Sequence, residues 1–304
     1  MKKARLIVVT IIILLLSLPI YVMSTFIFKN PIPDDEFSAN LTSIVDNLET
    51  KIEGKGEHTL VFIHGYPDSL EMWDKQADFF KENYQVVRFT LPGFEQTDRE
   101  LRPHYSIKQM RSIIDKFIEH LDRQSITVIA HDWGAVYASH YLKQNDLVDR
   151  LILLDIGSFA DEPRPKINVQ YTLALAVAWT LPDHLGTKLA LFTADKILQV
   201  PRVDPHKSIE DLRPDSRLTY PYWHLWKEVL TSNTTQPVIV DDYGTPFLFI
   251  YGKDKSIWFH AKTWEQEVID KNKGQIEVVP GGHWFMHSYP ELVNQKIYNW
   301  LNTR

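Results

Sequence analysis

Residues 128–139 read Val-Ile-Ala-His-Asp-Trp-Gly-Ala-Val-Tyr-Ala-Ser. The apolar run Ile126 to Ala130 has the composition of a buried strand, and Ala135 to Leu142 has helical spacing. Between them lie His131, Asp132, Trp133 and Gly134, with Ala130 and Gly134 two positions either side of the acid. Small neighbours permit a sharp strand-to-helix turn that lifts its central residue above the sheet edge, beside a helix N-terminus. A carboxylate placed there loses solvation, so its charge must be used. It can cap the helix as a structural acid. It can also attack saturated carbon and leave an alkyl ester on the protein, which a general base and an oxyanion hole must then hydrolyse.

The surrounding chain has the alternation that such an elbow needs. Strand patterns at Thr59–Ile63, Gln85–Thr90, Ile126–Ala130 and Leu151–Leu154 are separated by helical ones at Leu70–Phe80, Ile107–Leu121 and Ala135–Leu142. Strands apolar throughout imply a mostly parallel sheet covered by helices on both faces. Residues 158–243 break the pattern with prolines and aromatic-rich helical stretches, among them Tyr171–Trp179 and Tyr220–Leu230. Strand patterns return at Pro246–Tyr251 and Gln275–Val279, with helical stretches at His260–Ile269 and Glu291–Leu301. The expected class is therefore α/β, with a core over 48–157 and 244–304 and a helical cap over 158–243 inserted after the sixth strand.

Two further turns complete the site. His64-Gly65-Tyr66-Pro67 ends the first apolar strand, and Gly281-Gly282-His283-Trp284 follows the last. The backbone N–H groups of Tyr66 and Trp133 are candidate oxyanion donors, and His283 is the candidate base. In this order, with a cap between the second and third, the motifs resemble the α/β-hydrolase fold family. The Asp elbow is similar to the branch that holds epoxide hydrolases and haloalkane dehalogenases. That resemblance covers roughly residues 48–303 and implies a cofactor-independent hydrolase without a metal. It implies Asp132 as nucleophile, with His64, Trp133 and Trp223 contacting substrate. Two cap tyrosines would protonate the departing oxygen; Tyr222 is one candidate and Tyr171 the other. The acid that orients His283 has two candidates. Asp254, in Gly252-Lys253-Asp254-Lys255, lies one position early for the family pattern, with Lys255 where the acid is expected; Asp155 ends the preceding strand and is the substitute. Tyr66, where dehalogenases carry a polar halide-holding residue, favours an epoxide hydrolase acting on a small apolar substrate. A dehalogenase is the first alternative. A catalytically weakened, membrane-tethered binding protein is the second.

Composition narrows the classes further. The 304 residues carry a net charge of −6, with 44% hydrophobic and 24% charged residues, which fits a globular chain and disfavours a nucleic-acid partner. There are no cysteines, so disulfides and thiolate chemistry are excluded. His131, His283 and His287 have no metal-ligand spacing. The N-terminus is basic, Met1-Lys2-Lys3-Ala4-Arg5, and Leu6 to Phe28 then runs 23 residues without a charge. As a helix this is roughly 34 Å long, enough to cross a hydrocarbon core of about 30 Å. Residues 1–29 are therefore expected to form a single-pass membrane anchor, N-terminus cytoplasmic, with the catalytic domain on the far side. A cleaved signal peptide, with Val22 and Ser24 before the cut and a secreted product, is the alternative.

Overall fold

The computed structural model describes residues 19–25, 31–95, 104–123, 125–159, 166–198, 214–231, 243–255, 257–272 and 274–302. Seven strands form one sheet: β1 (Thr50–Glu53), β2 (Thr59–Ile63), β3 (Gln85–Phe89), β4 (Ile126–His131), β5 (Arg150–Leu154), β6 (Phe247–Gly252) and β7 (Gln275–Val279). Their spatial order is β1-β3-β2-β4-β5-β6-β7. Only β1 is antiparallel, pairing β3 at the sheet's edge; its polar sequence Thr-Lys-Ile-Glu carries no apolar run. The central strands β2, β4 and β6 are buried along their whole length, as a sheet covered on both faces requires. Val61, Val128 and Leu151 join one core, while Phe62, Ile129 and Ile152 join the other, so neighbouring strands alternate in phase.

Register fixes where the site falls. Ile63 pairs with Ala130, and His131 with Leu154. Leu154 in turn pairs with Ile250, and Gly252 with Val279. The carboxyl ends of five parallel strands thus share one edge, where open α/β sheets bind ligands. Tyr66, Asp132, Asp155, Lys255 and His283 all follow those ends.

The helical insert leaves after β5 and the chain returns before β6. Counted along the described sheet this is the fifth strand, not the sixth: four apolar strands precede the insert and only β1 is added to them. Its described α-helices are Lys166–Thr180, Asp183–Phe192 and Tyr220–Thr231, and no strand occurs among the described residues of the insert.

The folded body begins earlier than residue 48. The helix Asp34–Asp46 buries Phe37 and Val45, and Phe37 meets Tyr105 edge-on at 6.1 Å between ring centroids. Its contact residues Phe37, Leu41, Ile44 and Val45 repeat at i, i+4, i+7 and i+8, the stripe of an amphipathic helix. Lys108, in the helix Ile107–His120, pairs with Asp34, and Gln109 donates to the Ile32 carbonyl. That second helix starts with a reciprocal capping box between Ser106 and Gln109.

Of the apolar run Leu6 to Phe28, residues 6–18 and 26–28 lie outside the described residues. Residues 19–25 are helical, with Ile20, Tyr21 and Met23 about half or more exposed. Among the described residues no helix is long and apolar enough to cross a membrane.

Candidate active site

Asp132 sits at the tip of β4 with φ 51° and ψ −123°. This backbone conformation is costly for a residue with a Cβ and persists only where the surroundings enforce it. The enforcement comes from two glycines. A Cβ on Gly134 would lie 2.4 Å from the Ile63 carbonyl oxygen and 2.6 Å from that of His64. One on Gly65 would lie 2.5 Å from Asp132 Cβ and 2.6 Å from both Asp132 Oδ2 and the Trp133 nitrogen. Without side chains at 65 and 134, the β2 and β4 turns close on each other and frame the carboxylate.

The two carboxylate oxygens then have different partners. Oδ2 accepts from the Tyr66 N–H at 3.2 Å and from the Trp133 N–H. Oδ1 faces His283 Nε2 at 3.2 Å. On the other side of the imidazole, His283 Nδ1 lies 2.6 Å from Asp155 Oδ2. Asp155 is fully buried and holds φ 69°, with its N–H donating to the Ile250 carbonyl. Its second oxygen, Oδ1, accepts from Lys255 Nζ. Four ionisable side chains therefore form one line: Asp132, His283, Asp155, Lys255.

Electrostatics follow from that line. Burial pushes Asp155 upward, but the Lys255 charge and the His283 hydrogen bond outweigh it and hold the carboxyl below the usual carboxylate range. Burial likewise pushes His283 down, while hydrogen bonds to Asp132 and Asp155 raise it to about 9. The resting imidazole is thus an imidazolium between two carboxylates. His131 packs against it with the rings tilted by 41° and 4.4 Å between centroids, and its Nε2–H donates to the His283 carbonyl at 2.9 Å. Burial first, then the neighbouring His283, lower His131 to about 3, so it stays neutral.

Above Asp132 lies a cleft of about 590 Å³, counting space open to solvent. Tyr66, Tyr171, Tyr222, Ile257, Phe259 and Trp284 line it together with Asp132, Lys255 and His283. Tyr222 stands edge-on to Tyr66 at 5.4 Å, to Trp133 at 5.1 Å and to Tyr171 at 6.1 Å. Burial, then the Asp132 charge, keeps the Tyr222 phenol protonated far above its ordinary range. The Tyr66 hydroxyl is buried without a hydrogen-bond partner among the described residues.

Three of the expected positions stand elsewhere. Asp254 is exposed and does not reach His283. Its carboxylate accepts from the Gly281 N–H at 2.8 Å and so braces the outside of the His283 turn; one residue of displacement turned its side chain outward and Lys255 inward. His64 does not line the cleft. Its Nε2 accepts from the Leu91 N–H and its Nδ1–H donates to the Gly65 carbonyl, both at 2.8 Å. Burial lowers it to about 4, so it is a neutral pin between two loops. Trp223 is fully buried inside the cap against Trp179, His104 and His224. Adjacent residues on a helix diverge by about 100°, so with Tyr222 over the cleft Trp223 points away from it. Trp133 offers its backbone N–H, while its ring reaches the cleft only through Tyr222. Lys255, Phe259 and Trp284 are cleft residues that motif reading did not assign to substrate. The only signal for Lys255 was a base standing where an acid is expected. Among the described residues no group of acidic and histidine side chains is arranged to hold a metal.

Comparison with known proteins agrees with this architecture. A family profile described as alpha/beta hydrolase fold matches residues 58–289. Epoxide hydrolase 1 of Caenorhabditis elegans is 26% identical over 270 residues, covering 80% of this chain, and the match spans 64% of that relative's length. Epoxide hydrolase 4 of Homo sapiens is 21% identical over 274 residues, covering 81% of this chain and 73% of its own. Among solved structures, Bacillus megaterium epoxide hydrolase in complex with an inhibitor superposes with a TM-score of 0.62 at 20% identity, covering 84% of this chain and 96% of that one. A thermophilic esterase from Thermogutta terrifontis superposes almost as well, with a TM-score of 0.61 at 19% identity, covering 84% and 93%, so structural likeness speaks for the fold and not for one chemistry. With the profile covering most of the sequence and the strand order, elbow and cap all in place, the chain belongs to the α/β-hydrolase fold family.

Proposed function

We propose that the protein hydrolyses an apolar epoxide to a diol through a covalent ester on Asp132. The observation that carries this is the division of labour between the Asp132 oxygens: Oδ2 held by two N–H groups and Oδ1 beside His283, in a side chain that lines the cleft. Oδ1 attacks a ring carbon, the ring C–O bond breaks, and the alkoxide takes a proton from a cap phenol, Tyr222 or Tyr171. With the Asp132 charge lost to the ester, His283 gives up its resting proton, which reaches the phenolate by way of solvent; neutral His283 then removes a proton from water as the water oxygen adds to Asp132 Cγ. The oxyanion develops on Oδ2, where the Tyr66 and Trp133 N–H groups already point. Collapse breaks the Cγ–O bond to the alkyl group, which leaves with the proton from His283. The carboxylic acid left on Asp132 returns its proton to His283, which restores the resting imidazolium beside two carboxylates. Asp155 orients the imidazole, and no cofactor is needed.

Curated relatives named epoxide hydrolases support the substrate class, and the aromatic cleft supports an apolar substrate. The uncharged run Leu6 to Phe28 belongs to the same proposal as a bilayer anchor, N-terminus cytoplasmic, bringing the cleft close to lipophilic substrate. Release of the full chain from membranes by alkaline carbonate wash would remove the anchor from it. The chemistry is tested by intact mass of the His283→Gln protein after exposure to a panel of epoxides. A trapped adduct mapped to Asp132 is expected. An adduct formed only from chloroalkanes, with halide released, would instead assign a dehalogenase, and no adduct with either class would leave a binding role.

A further inference from the structure

The line of charges has one member that the reaction above does not use. Lys255 stands at the carboxyl end of β6 with its side chain 2% exposed, ion-paired to Asp155. Its ammonium also lies 5.2 Å over the Trp258 ring, 5.4 Å over Tyr251 and 5.5 Å over Phe259. Aromatic faces and a carboxylate both favour a cation, so the site is built to hold Lys255 charged.

In the resting protein the four charges alternate and sum to zero: Asp132 negative, His283 positive, Asp155 negative, Lys255 positive. Esterification of Asp132 removes one negative charge. Asp155 is already matched by Lys255, so the imidazolium becomes the uncompensated charge in a buried site and sheds its proton. Without Lys255, the full charge of Asp155 would keep His283 protonated, and the ester would have no base to activate water.

Other groups near the imidazole do not supply this countercharge. His131, packed against it, is neutral by burial. His260, next to Lys255 and Asp155, is lowered to about 3, by burial first and then by Lys255. Tyr171 and Tyr222 are phenols over Asp132, and Asp68 accepts from Trp284 Nε1 at 2.7 Å.

Resting on the hydrolase reading, we propose that Lys255 is a positioning residue that acts through Asp155, freeing His283 to serve as base once Asp132 is esterified. Two measurements test it. In stopped reactions of wild type, Lys255→Met and Lys255→Arg, adduct formation and adduct decay are timed separately by intact mass. Lys255→Met should form the adduct within about threefold of the wild-type rate. Its decay near pH 7 should slow about tenfold, with the pH limb of decay moved up by about one unit; Lys255→Arg should restore the limb. Coincident decay profiles, or equal slowing of both steps, overturn the proposal.

The second measurement needs no substrate and no variant at 255. NMR titration of the His283 ring in Asp132→Asn, whose amide stands in for the neutral ester, should give a midpoint at least two units below that of the parent protein. An unmoved midpoint overturns the proposal even where Lys255→Met does not fold. Absence of any adduct in the wild type would sink the hydrolase reading, whereas an unmoved midpoint would by itself sink the charge coupling through which Lys255 is proposed to act.

Discussion

Two acids compete for one histidine in the sequence, and their surroundings separate them. Asp155 is buried between His283 and Lys255, whereas Asp254 is exposed and accepts from the Gly281 N–H in the His283 turn. Removing one partner of a buried pair leaves a charge without compensation, which costs about 3–5 kcal/mol. Asp155→Asn should therefore lower stability by about that amount in urea melts and reduce kcat by roughly 10²-fold or more, through loss of imidazole orientation. Asp254→Asn should cost about 1 kcal/mol and leave kcat within a few-fold. The reverse ranking would reassign the acid. Gly65 supplies a second case at this scale, because an added methyl group would press on Asp132 and the Trp133 nitrogen. Gly65→Ala should fold with a loss of about 1–3 kcal/mol and lose about 10²–10³-fold in kcat, since the oxyanion site cannot keep its geometry; unchanged turnover would show that the hole is not used. Asp132, Tyr66 and His283 were legible because turn chemistry and glycine spacing mark them. Lys255 was not, because a cationic side chain is ordinarily a surface feature and its burial depends on a carboxylate one hundred positions away.

At the level of elements, apolar strands and amphipathic helices were readable almost to the residue; β2 and β7 match their patterns end to end. What escaped was the edge. β1 has no apolar alternation because a half-exposed, antiparallel edge strand does not need one. The helix Asp34–Asp46 was hidden by its acidic first turn and polar outer face, although its buried positions keep helical spacing. In the cap, periodicity located the helix Tyr220–Thr231 but not its rotation, which packing decides. That rotation places Tyr222 on the cleft and Trp223 in the cap core. Their substitutions should accordingly fail in different ways. Tyr222→Phe keeps the ring contacts with Tyr66 and Trp133 and should leave the melting temperature within a few degrees, while adduct formation slows about 10²-fold as the proton donor is lost. Trp223→Ala empties a fully buried site and should cost about 3–5 kcal/mol of stability. A Tyr222→Phe protein with normal adduct formation would move the proton donor to Tyr171.

Across the whole molecule, the buried histidines set a pH window for stability. His64, His131 and His260 are held neutral, lowered from 6.5 to about 4, 3 and 3, with burial the leading cause in each. The unfolded chain protonates all three near pH 6.5 while the folded one does not. Their contribution is therefore present above pH 6.5 and is lost as pH falls toward their folded values. Each group gives a slope of up to about 1.4 kcal/mol per pH unit, so the three together give about 4. For a domain with a typical stability of about 5–15 kcal/mol, unfolding should set in between about pH 4 and 5. His283 acts in the opposite sense. Its folded value is raised to about 9, so its contribution is complete below pH 6.5 and is lost as pH rises through 9. Melting temperature followed by circular dichroism from pH 4 to 10 should thus form a dome with its maximum near pH 6.5–7. The alkaline shoulder is specific to the Asp132–His283–Asp155 line. In His283→Gln it should disappear while the acid limb persists, because burial, the leading cause at His64, His131 and His260, remains. An alkaline fall that survives this substitution would place the titrating group elsewhere, and with it the imidazolium on which the resting charge balance depends.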